Sequence, residues 1–183
     1  TSANWRPILA RPWGAVPILA GAGIRWLSVP FYNYDSTFEQ LKNPPLFVWE
    51  GPDGSRIQVI MDPWASNKAG YTQGAAILRQ SEIIKKEWLP HYRSLGEAYP
   101  LRAILASGTH GDISPGSGTQ TKGFADAVIG YNAGPGPHPK LVNATVSQFC
   151  EVVDQVQMQR PFLPTISGCF GHSWDLWPLS LAK

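Results

Sequence analysis

An α/β fold built on a mainly parallel sheet is predicted by three features of the sequence. The apolar runs Ile24 to Val29, Ile57 to Met61, Leu101 to Ala106 and Phe162 to Ser167 are near-continuous, the mark of strands covered on both faces. Strand, loop and helix alternate about four times along the chain. With 183 residues, 43% of them hydrophobic and 15% charged, the chain can bury a core of single-domain size. A barrel and a doubly wound sheet both satisfy this alternation, and in both the chemistry collects where strands end.

The elements follow in order. Trp13 to Gly23 reads as a short helix closed by Gly23, after which Ile24 to Val29 runs as a buried strand. Pro30 to Pro45 is a loop rich in Tyr, Asn and Pro. It leads to Leu46 to Trp49, a turn at Gly51 to Gly54, and Ile57 to Met61, which together predict an antiparallel hairpin with Phe47 and Trp49 on one side. Gln73 to about Leu95 is helical in pattern, with Ile84, Trp88, Tyr92 and Leu95 on one stripe, Glu82 set to pair with Lys86, and Pro90 as a break or kink. Leu101 to Ala106 then predicts a strand, Ser107 to Gly118 a Gly/Ser/Thr-rich loop, and Gln120 to Asn132 a helix with Phe124 and Val128 one turn apart.

Leu141 to Ala144 reads as a brief strand. Thr145 with Gln148 forms a capping-box pattern, and Phe149, Val152, Val153 and Val156 follow the spacing of an amphipathic helix. Phe162 to Ser167 is the last strand and empties into Gly168-Cys169-Phe170-Gly171-His172.

Composition removes several classes of partner. A formal charge of +2, from 15 basic and 13 acidic residues without runs, leaves no electrostatic footprint for nucleic acid or an anionic membrane surface. No stretch approaches the ~18 apolar residues of a membrane span. Cys150 and Cys169 are too few for a disulfide framework, and no Cys/His cluster marks a structural zinc. There is no Walker motif, no GxGxxG between strand and helix, and no GxSxG elbow. The chain starts at Thr1 and stops at Lys183 within an apparent opening helix, so it is expected to be a fragment of a longer protein.

Strand ends single out the polar candidates: Asp62 after Ile57 to Met61, His110 and Asp112 after Leu101 to Ala106, His172 and Asp175 after Phe162 to Ser167. Carboxylates and imidazoles there supply general acids, general bases or metal ligands for hydrolysis of a glycosidic or acyl bond. Asp112, His172 and Asp175 are assigned to catalysis, and Asp62 and His110 to substrate binding. Trp64 and Trp174, beside two of these, are candidates for stacking on a pyranose ring. Were the strands parallel, all five polar residues would meet at one rim. Each also has a plain structural reading, for Asp62 and Asp112 are ordinary turn formers and the eight tryptophans serve as core filler. His91 and His138 read as surface residues. Asn143-Ala144-Thr145 matches a glycosylation acceptor, though Thr145 has a capping role.

Three blocks in the same order, Val16 to Arg25, Phe47 to Arg56 and Leu163 to Gly168, resemble the catalytic domain of family 38 glycoside hydrolases, the α-mannosidases. The Trp49-Glu50-Gly51-Pro52-Asp53-Gly54-Ser55 segment is the most specific of them. The resemblance implies a seven-stranded β/α barrel related to polysaccharide deacetylases, of which this chain would be the C-terminal portion. It further implies one zinc, with its main ligands expected outside this fragment, and a carbohydrate substrate cleaved with retention through a carboxylate nucleophile.

Two departures stand against the family pattern. Residues 1–34 contain no acidic residue where the nucleophilic Asp would fall, and Cys169 follows Gly168 where mannosidases usually place an acid. A retaining glycosidase needs two carboxylates ~5 Å apart. The chain is accordingly expected to be an α-mannosidase-like hydrolase, divergent in its chemistry. Its rivals are a non-catalytic carbohydrate-binding barrel that has lost the nucleophile and a deacetylase-like metal hydrolase.

Overall fold

A computed structural model describes residues 1–4, 12–30, 44, 46–62, 85–86, 89–105, 121–136 and 139–169. The chain divides into two units, Thr1–Thr72 with Leu163–Lys183, and Gln73–Phe162.

The first unit holds a five-stranded, mostly parallel sheet. Its strands are β1 (Ser2–Asn4), β2 (Trp26–Pro30), β3 (Leu46–Glu50), β4 (Arg56–Asp62) and β5 (Thr165–Ser167), in the order β1-β2-β4-β3-β5. The β1/β2, β2/β4 and β3/β5 pairs are parallel, whereas β3/β4 is antiparallel. The hairpin therefore reverses the chain, and β5, lying parallel to β3, runs against β1, β2 and β4. Among the described residues β1 and β5 are edges, and the sheet is not closed into a barrel.

The hairpin forms antiparallel as predicted, with Phe47 opposite Val59, Trp49 opposite Ile57 and Glu50 opposite Arg56. Alternation along the strands puts Phe47 and Trp49 on one face, where both are fully buried with Leu27, Val29, Ile57 and Val59. Helix α1 (Ala15–Gly21) covers this face through Ala15 and Val16. Trp26, Ser28, Leu46 and Ile60 on the alternate positions are also buried, which is why these strands read as continuous apolar runs.

Pro17 stands in the first turn of α1, where its missing N–H costs nothing. The helix ends as its Gly predicts: Gly23 has φ +75°, its N–H reaches Ala20 O at 2.9 Å, and Ile24 N–H reaches Leu19 O at 3.0 Å. Those two bonds satisfy the last carbonyls in a Schellman arrangement that only glycine enters without strain.

The second unit contributes α2 (Leu89–Ser94), a 3-10 turn Gly96–Ala98, α3 (Thr121–Asn132) and α4 (Val146–Gln159). Thr145 and Gln148 cap α4 reciprocally, Gln148 N–H to Thr145 Oγ1 at 3.2 Å and Thr145 N–H to Gln148 Oε1 at 2.7 Å. Phe149 and Val153 of the predicted stripe are buried, but Val152 is 38% exposed and Cys150 takes the inner place. Tyr92 is buried with its ring 4.7 Å from that of Tyr99, whereas Ile84, Trp88 and Glu82 lie outside the described residues.

Two predicted strands do not form. Residues 101–105 are irregular, and the Ala103 carbonyl accepts the Tyr99 hydroxyl at 2.9 Å. Leu141 to Ala144 is likewise irregular, because the Asn132 side-chain amide takes both polar groups of the Leu141 backbone at 2.8 and 2.9 Å. A third strand is shortened: Phe162 to Ser167 pairs only from Thr165, after Pro161 and Pro164. Proline cannot donate to a ladder, and Pro164 contributes its carbonyl instead, accepting Val48 N–H at 2.8 Å.

Candidate functional site

The opposed direction of β5 changes which strand ends lie together. Asp62 closes β4 beside Pro30 of β2, and the structure describes it by its backbone alone. Ser167, from which the chain runs on toward His172 and Asp175, sits beside Glu50, and Glu50 sits beside Arg56 at the other end of β4. Six residues of strand at ~3.3 Å each separate the two ends by about 20 Å. The expectation that parallel strands bring Asp62 and the exit of the last strand to one rim is thus corrected, because the hairpin inverts β3 and with it β5. Trp64, His110, Asp112, His172, Trp174 and Asp175 lie outside the described residues.

What the structure does assemble is the rim at the end of β3 and β5. Trp13, just ahead of α1, donates its indole N–H to Glu50 O at 2.6 Å, and its backbone N–H lies 3.4 Å from Cys169 Sγ. Trp49 donates its indole N–H to Gly168 O at 2.9 Å. Arg56 engages Glu50 Oε2 through Nε at 2.6 Å and Nη2 at 2.5 Å. Three segments far apart in sequence are in this way tied by side chains at one end of the sheet.

The turn itself is held by Asp53, whose Oδ1 accepts Ser55 Oγ at 2.6 Å and Ser55 N–H at 3.0 Å. The hydroxyl bond first, then the backbone bond, keeps the Asp53 carboxyl below its ordinary range. Gly51 is needed here for space, since a Cβ would meet Ser55 Oγ at 2.9 Å and Val16 Cβ and Pro17 Cδ at 3.0 Å.

Chemically the rim offers an indole, a paired guanidinium and carboxylate, and an exposed free thiol, Cys169. Among the described residues no three His, Cys, Asp or Glu side chains come close enough together to hold a metal ion. No helix among the described residues is long and apolar enough to cross a membrane.

Strand-end reasoning passed over Trp13, Glu50 and Arg56. The turn predicted at Gly51 to Gly54 is one residue short of the observed connection 51–55, which sets Glu50 opposite Arg56. His91, read from sequence as a surface residue, is half-buried with its ring edge-on to Tyr92 at 5.4 Å, and burial lowers its pKa. His138 lies outside the described residues; Asn143 is exposed. Comparison with protein-family models, curated proteins and solved structures gives no match to this chain.

Proposed function

We propose that this chain is part of a carbohydrate-active hydrolase of the α-mannosidase type, related to family 38 glycoside hydrolases and divergent in its chemistry. The observation that carries the reading is the meeting of the three resembling blocks. Phe47 to Arg56 carries the hairpin turn, Leu163 to Gly168 contains β5 and runs beside the hairpin, and Val16 and Pro17 pack against Gly51. Blocks that behave as one unit support common descent more strongly than blocks scattered over a surface would. On this reading the sheet belongs to a seven-stranded barrel, and Asp112, His172 and Asp175 act on the glycosidic bond.

A protonated carboxyl or imidazolium would assist the leaving oxygen, and a carboxylate would stabilise the oxocarbenium-like centre. The resemblance also implies a zinc ion, which would supply Lewis-acid chemistry at the substrate. Hydrolysis of an aryl α-mannoside by the full chain tests the reading, with Asp112→Ala and His172→Ala expected to lower turnover ~100-fold or more. Undiminished turnover in both variants would remove them from catalysis.

A second reading, a barrel that binds sugar without cleaving it, is favoured by one specific observation. Cys169, at the position where the family usually carries an acid, lies against the Trp13 backbone N–H as a structural contact. Saturable binding of oligosaccharide without release of aglycone would decide for it. Release of acetate from an acetylated oligosaccharide would instead indicate the deacetylase-like alternative.

A further inference from the structure

We propose that Asn143 is an N-glycosylation site, the acceptor of an oligosaccharide delivered from a lipid pyrophosphate, and that transfer precedes closure of the α4 cap. The proposal is independent of the hydrolase reading, since it concerns a sugar carried by the chain and not one cleaved by it.

Of the six asparagines in the sequence, only Asn143 opens an Asn-x-Ser/Thr triplet, and its middle residue, Ala144, is not proline. The structure sets that triplet on the surface, with Val142, Asn143, Ala144 and Thr145 all exposed. The segment is irregular. It is pinned at its start by the two bonds between the Asn132 side chain and the Leu141 backbone, and at its end by the N-cap of α4. Asn143 stands two residues ahead of the cap, outside the helical hydrogen bonds, so a bulky sugar there reaches solvent without disturbing α4.

In the transfer, the Asn143 amide nitrogen Nδ2 bonds to the anomeric carbon of the incoming sugar. The bond from that carbon to the pyrophosphate oxygen breaks, the lipid pyrophosphate leaves with the electron pair, and the amide gives one proton to a base of the transferase. The triplet also requires the hydroxyl two residues on. Here that hydroxyl is already in use: Thr145 Oγ1 accepts Gln148 N–H at 3.2 Å and donates to Gln148 Oε1 at 3.2 Å. One hydroxyl cannot both close a capping box and present itself to a transferase. Transfer therefore belongs to the chain before α4 is capped, and capping afterwards withdraws Thr145 while leaving Asn143 outside.

Translation of the full chain behind a cleavable secretory signal, with endoplasmic-reticulum microsomes present, tests this alongside Asn143→Gln, Thr145→Ala and Thr145→Ser. A single endoglycosidase-sensitive mobility shift is expected in the parent chain, kept in Thr145→Ser and lost in the other two. Because the readout is mass, a variant that folds poorly still reports. The folded chain presented to the same microsomal transferase after translation is expected to stay unmodified. Absence of a shift in the parent chain, or a shift that survives Asn143→Gln, overturns the assignment. Equal modification of the folded chain overturns the order of events. A glycosylated chain that melts well below the Asn143→Gln chain would show that the surface does not accommodate the sugar, and overturns the site as well. Hydrolysis of an aryl mannoside, present or absent, bears on the hydrolase reading alone.

Discussion

The indole N–H of Trp49 donates to the carbonyl oxygen of Gly168 at 2.9 Å, joining residues 119 positions apart. Trp49 is fully buried, so this bond is made where water competes poorly. Replacement by Phe keeps an apolar ring but deprives the Gly168 carbonyl of its donor. A loss of about 1–3 kcal/mol is expected, read as a lower urea midpoint. An unchanged midpoint would mean that β5 is held by its ladder with β3 alone.

Among the described glycines, Gly51 packs most closely against another element. A methyl there would lie 3.0 Å from atoms of Val16 and Pro17, and neither the helix backbone nor the proline ring yields easily. Gly51→Ala is expected to cost about 1–3 kcal/mol through forced displacement of α1. Adding Ser55→Ala relieves the 2.9 Å hydroxyl contact but also removes the hydroxyl bond to Asp53, so it should recover at most a minor part. Full recovery in the double variant would show that the turn, not the packing of α1, sets the requirement.

These two positions also show how far the sequence was legible. Period-two alternation and a Pro-Asp-Gly turn were enough to predict the antiparallel hairpin and to put Phe47 and Trp49 on one side, because both are local features. Thr145 with Gln148, and Gly23, marked helix ends for the same reason. The direction of β5 was not legible: apolar runs announce burial but not orientation, and only pairing with β3 decides it. The strands expected at Leu101 and Leu141 failed because single side chains, Tyr99 and Asn132, satisfy backbone groups that a ladder would have used. Of the site candidates named from the sequence only Asp62 falls among the described residues, while the Trp13 anchor depended on a contact with Glu50, 37 residues away.

Alkaline pH should weaken the fold through Cys150. Burial, followed by the nearby Asp154 carboxylate, pushes its thiol from 9.0 up to about 11. The folded state thus holds a proton that the unfolded chain releases, and stability falls as pH rises from the unfolded value through the folded one. A loss on the order of 1–3 kcal/mol is expected between pH 9 and pH 11. Tyr99, raised by burial, continues the trend at higher pH. Denaturant unfolding across this window checks it, with Cys150→Ala expected to flatten the slope; an equal slope in that variant would exclude the thiol as its source.

Cys169 provides the opposite sign of pH dependence once replaced. Its sulfur lies 3.4 Å from the Trp13 backbone N–H, a weak acceptor at a position where the resembling family usually has an acid. Cys169→Asp would supply a charged oxygen acceptor, and charge-assisted bonds are roughly twice as strong as neutral ones. A gain of about 0.5–1.5 kcal/mol is expected at pH 7. Because that bond favours the ionised form, the folded carboxyl would titrate below its unfolded value near ~3.9. The gain would therefore be present above that value and disappear as pH falls through the folded one. Thermal unfolding of the parent chain and Cys169→Asp at pH 7 and pH 3 separates the possibilities. A higher melting temperature at pH 7 that shrinks at pH 3 would identify the Trp13 N–H as an acceptor-seeking group at this rim. Equal melting temperatures at both pH values would show that it gains nothing from a carboxylate, and that Cys169 is held there by the course of β5 alone.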